Sequence, residues 1–128
     1  MAETPHRHLP RLSSESYRGF RFVHWTMTIS ERKIGWLTPE YQAGFRDILT
    51  SATSSHGIVI PTYCLMPDHI HILAAGTHAT ANQKLWSRAV RRELNLLLNP
   101  AKLQRQPYDH VLRPEEQKAD SFATLVYY

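Results

Sequence analysis

The stretch Tyr63-Cys64-Leu65-Met66-Pro67-Asp68-His69-Ile70-His71-Ile72, running on into Leu73, constrains the fold of this chain more than any other. It ends in an apolar run of period two, with His69 and His71 at one parity and Ile70, Ile72 and Ala74 at the other. Successive side chains of a strand point to opposite faces. The two imidazoles therefore share a face, roughly 6–7 Å apart along the strand, and can converge on one divalent ion. Met66-Pro67-Asp68 reads as a turn or bulge that stops the preceding strand and re-aims the chain. Taken alone, His-x-His is a short pattern that a solvent-facing strand can carry without any function.

The elements around this stretch follow from periodicity. Residues 20–29 alternate, with Val23, Trp25, Met27 and Ile29 on one face and Phe22, His24, Thr26 and Thr28 on the other, which predicts a strand. Residues 30–35 are polar and basic and read as a turn. Thr38-Pro39-Glu40 supplies a capping hydroxyl, a proline at the first helical position and an acid in the first turn. Tyr41, Phe45, Ile48, Leu49 and Ala52 then recur at helical spacing to about residue 55, and Gly57 ends the helix. Two further strands are expected at 58–63 and 69–75.

A loop over 76–83, with Asn82 as cap, leads into a second helix at 84–98. Its buried stripe is Trp86, Val90, Leu94 and Leu97, and Lys84, Arg88, Arg91 and Arg92 lie on the opposite side. Those cations are either a solvated face or a surface that tracks phosphates. Asn99-Pro100 breaks the helix. Residues 103–113, which include Arg105 and Arg113, form a short irregular or extended segment, and a third helix opens at 114–116 with apolar Phe122, Leu125 and Val126. Residues 1–19 read as a basic, irregular arm, and 20–128 as one domain. Strands separated by helices, with a tight strand–strand connection in the middle, predict an α+β sandwich of ferredoxin-like type. Its central sheet is mainly antiparallel, with flanking helices over at least one face.

At 128 residues the chain has room for a single core. One cysteine, Cys64, excludes an internal disulfide framework and a multi-cysteine zinc site, and its apolar neighbours predict that it is buried. No apolar run reaches the ~18 residues of a membrane span, so a cytoplasmic protein with no membrane partner is expected. A net charge of +4 and a pI of about 9.5 favour an anionic partner, nucleic acid first.

The segment 63–73 resembles the signature strand of the single-tyrosine HUH transposases, and more closely their REP-associated tyrosine transposase branch. Val23-His24-Trp25-Thr26 with Gly35-Trp36-Leu37, the segment from Leu103-Gln104 through Arg113, and the terminal helix carry the resemblance over roughly residues 20–128. It implies a nuclease and strand transferase acting on single-stranded DNA with hairpins, in a bacterial, nucleoid-associated setting, as monomer or homodimer. It also implies that His69 and His71 hold a Mg²⁺ or Mn²⁺ ion on the scissile phosphate. A tyrosine attacks to give a 5′-phosphotyrosine link and a free 3′-OH. Tyrosine, with a pKa near 10, is a poor nucleophile that needs a phosphate polarised by a metal.

Tyr128 is the residue that matches the family's nucleophile, with Tyr127 the near alternative and Tyr108 a third. Lys84, Arg88, Arg91, Arg92, Arg105 and Arg113 are the expected DNA contacts. The family's Ile-x-x-Asn-Pro after the tyrosine, whose asparagine could supply a third metal ligand, has no counterpart here. The expectation is therefore a transposase-derived catalytic domain shortened at its C-terminal end. Two other classes compete with catalysis: a non-catalytic module that binds DNA hairpins, and a small metal- or RNA-binding ferredoxin-like domain. The sheet lacks the aromatic pair that RNA recognition would need.

Overall fold

A computed structural model describes residues 14–113 of the chain. Its regular elements are strand β1 (Phe22–Thr28), helix α1 (Pro39–His56), strands β2 (Ile58–Met66) and β3 (His69–Gly76), helix α2 (Gln83–Leu98) and strand β4 (Tyr108–Val111). The four strands form one sheet in the order β2-β3-β1-β4, and each neighbouring pair is antiparallel. This is the expected α+β sandwich. β3 lies between β1 and β2, so the two crossover units interleave as in ferredoxin-like folds.

Alternation decides the faces of the sheet. Val23, Trp25, Met27 and Ile70, Ile72, Ala74 are buried with Phe45 and Leu49 of α1 and Trp86, Val90 and Leu94 of α2 in one core. The helices are placed by their caps. The Thr38 hydroxyl accepts the Tyr41 N–H at 3.1 Å, and Gly57 closes α1 in the left-handed region at φ 66°. The Asn82 side chain accepts the Leu85 N–H at 3.1 Å at the start of α2. Gln83, fully buried, ties that start to the sheet. It accepts the Trp25 indole N–H at 2.9 Å and donates to the carbonyls of Ala74 and Arg21 at 2.9 and 3.2 Å.

Several expectations change. β2 runs through Met66, so only Pro67-Asp68 turns, and the irregularity of β2 lies between Val59 and Thr62, around Pro61. An edge strand tolerates proline there because one side of its backbone has no partner to lose. The 103–113 segment contains β4, the other edge strand, four residues long. In α2 the buried position is Leu98, while Leu97 is 38% exposed. The domain also begins before residue 20: Tyr17, in a 3-10 turn at Ser14–Tyr17, is buried and hydrogen-bonds Asp109, and Gly19 N–H bonds the Ala81 carbonyl. Cys64 is half-buried rather than in the core, since its register partner is His71, on the face away from the helices. The third helix and Tyr127 and Tyr128 lie outside the described residues.

Candidate functional site

The face of the sheet away from the helices gathers the polar side chains. β1 contributes His24, Thr26 and Thr28, opposite Leu73, His71 and His69 of β3, and β4 adds Tyr108 opposite Thr26 and His110 opposite His24. His69 and His71 project together as their spacing predicts. Their Nε2 atoms are 3.1 Å apart, with ring planes at 86°. Two neighbouring ligands on one ion are separated by about 3.0 Å in an octahedral shell and about 3.4 Å in a tetrahedral one, for bonds of about 2.1 Å. The donor pair thus fits a divalent cation. Among the described residues no group of three metal-capable side chains completes the shell.

The outer nitrogens of both rings are held. Nδ1 of His69 lies 2.7 Å from Oδ1 of Asp68, and Asp68 Oδ2 accepts from Arg32 Nε at 2.8 Å. The Pro67-Asp68 turn is itself anchored: the Trp36 indole donates to the Pro67 carbonyl at 2.6 Å and the Ile29 N–H to the Asp68 carbonyl at 3.0 Å. A carboxylate behind a histidine fixes ring orientation and tautomer, as is usual behind metal-ligating imidazoles. Nδ1 of His71 lies 2.9 Å from His24 Nε2 and 3.4 Å from the Thr26 hydroxyl.

Charge follows from these contacts. The hydrogen bond from His69, with help from Arg32, holds the Asp68 carboxyl below the ordinary carboxylate range. Burial, then the neighbouring His69, lowers the pKa of His71, and burial, then His71 and His110, lowers that of His24 to about 4. His24 and His71 are therefore neutral at pH 7, the form in which imidazole offers a lone pair. Asp68, His24 and Thr26 are site residues that sequence reasoning does not single out. Asp68 stands in the motif as a turn residue, and His24 on the face opposite the core, but only the register of β1 against β3 makes them partners.

The other candidates are dispersed. Tyr108, 67% exposed, shares the row Cys64–His71–Thr26–Tyr108, two strands or roughly 10 Å from His71 by backbone spacing. The cations of α2 share one side of the helix but differ in their contacts. Lys84 sits 5.0 Å over the Tyr17 ring, and Arg91 donates to Ser87 Oγ at 3.3 Å and to the Arg105 carbonyl at 2.8 Å, a structural role. Arg88 is exposed, Arg92 is exposed beside the groove between α1 and α2, and Arg105 and Arg113 are exposed near β4. No described helix is long and apolar enough to cross a membrane.

No protein-family model matches the chain, and no curated protein matches it significantly. Solved structures do match. A REP-associated tyrosine transposase bound to a REP hairpin superposes with a TM-score of 0.67 at 16% identity, over 98% of this chain and 68% of that one. A protein of Deinococcus radiodurans R1 described as a "putative transposase" superposes with a TM-score of 0.59 at 13% identity, over 99% of this chain and 100% of that one. At these identities the likeness is one of fold, and it is the fold that the sequence resemblance implies.

Proposed function

We propose that the chain is a transposase-type nickase and strand transferase for single-stranded DNA beside a hairpin, with His69 and His71 as its metal-binding pair. The observation that carries this reading is the convergence of two Nε2 atoms at 3.1 Å, with both outer nitrogens already engaged, on a fold shared with a hairpin-bound transposase. Mg²⁺ or Mn²⁺ held there would neutralise charge on the scissile phosphate and its leaving oxygen.

The chain's own residues do the rest. Asp68 keeps the proton of His69 on Nδ1, so that Nε2 faces the site. Tyr128 is the proposed nucleophile. Its oxygen bonds to phosphorus as the O3′–P bond breaks, leaving a 5′-phosphotyrosine and a 3′-OH, with the phenolic proton balanced by protonation of the 3′ oxygen. The exposed Arg88, Arg92, Arg105 and Arg113 are our candidates for contacts with substrate phosphates; Lys84 lies over the Tyr17 ring, and Arg91 bonds Ser87 and the Arg105 carbonyl.

A labelled single-stranded hairpin substrate with Mn²⁺, scored for a covalent protein–DNA adduct on a denaturing gel, tests the reading. Wild type should form the adduct, Tyr128→Phe should lose it while still binding DNA, and Tyr108→Phe should keep it. Loss in Tyr108→Phe with retention in Tyr128→Phe moves the nucleophile to β4. DNA binding without an adduct in the wild type makes the chain a hairpin-binding module instead.

A further inference from the structure

We propose that His24 is a positioning residue for the His69/His71 pair, one that sets whether Nε2 of His71 carries a proton or a lone pair. The inference rests on the reading of that pair as a divalent-cation site.

The contacts form a chain: Asp68 Oδ1 to His69 Nδ1 at 2.7 Å, His69 Nε2 to His71 Nε2 at 3.1 Å, His71 Nδ1 to His24 Nε2 at 2.9 Å. A carboxylate only accepts, and a neutral imidazole carries one N–H and one lone pair. Asp68 therefore fixes the proton of His69 on Nδ1 and leaves a lone pair on its Nε2. Two lone pairs cannot face one another at 3.1 Å, so without a cation His71 must hold its proton on Nε2. Its Nδ1 then accepts, and His24 must donate from Nε2.

With both inner lone pairs given to a cation, the His71–His24 contact would reverse. The proton of His71 moves to Nδ1, and Nε2 of His24 becomes the acceptor with its proton on Nδ1. Both rings stay neutral throughout, so the total number of protons they hold is unchanged. Only a side chain able to donate or accept from one place can serve both states, and an imidazole does so by exchanging tautomers. The geometry is built for it. His24 reaches diagonally from β1 to β3 with ring centroids 5.0 Å apart, and the Thr26 hydroxyl, at 3.4 Å from the same nitrogen, is a weaker substitute. Outer partners of metal-bound imidazoles commonly change metal affinity by about 10–100-fold.

The test uses the full chain with a diamagnetic probe, Mg²⁺, and a paramagnetic one, Mn²⁺. Nitrogen-15 NMR of the histidine rings should show His71 protonated on Nε2 in the metal-free protein. On addition of Mg²⁺ both His71 and His24 should move their protons to Nδ1. Loss of the free-Mn²⁺ EPR signal should give an affinity about 10–100-fold weaker for His24→Leu and within a few-fold of wild type for His24→Gln, whose amide can present either group. An unchanged His24 tautomer on cation binding, or His24→Leu binding Mn²⁺ as tightly as wild type, overturns the proposal. If His24→Leu does not fold, the wild-type tautomers and His24→Gln decide it. A wild type that binds neither ion removes the reading of the pair itself, and this inference with it.

Discussion

The side-chain carbonyl of Gln83 accepts the indole N–H of Trp25 at 2.9 Å, and both residues are buried. The same amide donates to carbonyls of β3 and of the segment before β1, so one polar side chain fixes the first turn of α2 against the central strands. An orphaned buried donor or acceptor costs about 1–3 kcal/mol. Gln83→Leu strands the indole N–H and removes both donations, and should lower stability by about 2–4 kcal/mol on that scale, read from the midpoint of urea unfolding. An unchanged midpoint would mean that apolar burial alone seats the helix.

The cations of α2 should separate into two kinds. Arg91 bonds Ser87 and the Arg105 carbonyl, so Arg91→Ala should loosen the connection to β4 and lower the melting temperature. Arg88 and Arg92 are exposed, and replacing both with Ala should leave melting unchanged. If they meet phosphates, the salt slope of log K for single-stranded DNA should fall by roughly 0.7 for each phosphate no longer neutralised. An unchanged slope returns them to a solvated helix face.

How much of this is legible in sequence depends on the range over which each signal acts. The strand β1, the Thr38 and Gly57 ends of α1, the Asn82 cap and the shared face of His69 and His71 are local: periodicity and capping chemistry sit within a few residues of one another. The extension of β2 through Met66 escapes a sequence reading because Pro67-Asp68 alone makes the turn. β4 escapes it because four residues on a sheet edge carry too little alternation to show a period. The partnership of Asp68, His24 and Thr26 with the histidines depends on which strand lies beside which. Arg91 reads as a free cation in sequence, yet its partner is a backbone carbonyl fourteen residues away.

Acid should destabilise the protein through His24. Its folded pKa is about 4, against 6.5 for an unburied histidine, and the titratable groups facing it are His71 of β3 and His110 of β4. Between those values the unfolded chain takes up a proton that the folded chain refuses. The stability tied to a neutral His24 is thus fully present above about pH 6.5 and lost as pH falls towards 4. His71, shifted the same way, adds to the slope. Thermal melts from pH 7 to pH 4 should fall more steeply for wild type than for His24→Phe, and equal slopes would contradict the assignment.

His69 and His71, with their Nε2 atoms 3.1 Å apart, are proposed to form one divalent-cation site. Isothermal titration of Mn²⁺ into wild type and into His69→Ala/His71→Ala, both shown to be folded by circular dichroism, tests it most directly. Saturable binding of one ion per chain is expected in the wild type, and its loss in the double variant. Binding of equal affinity in the two proteins would contradict it.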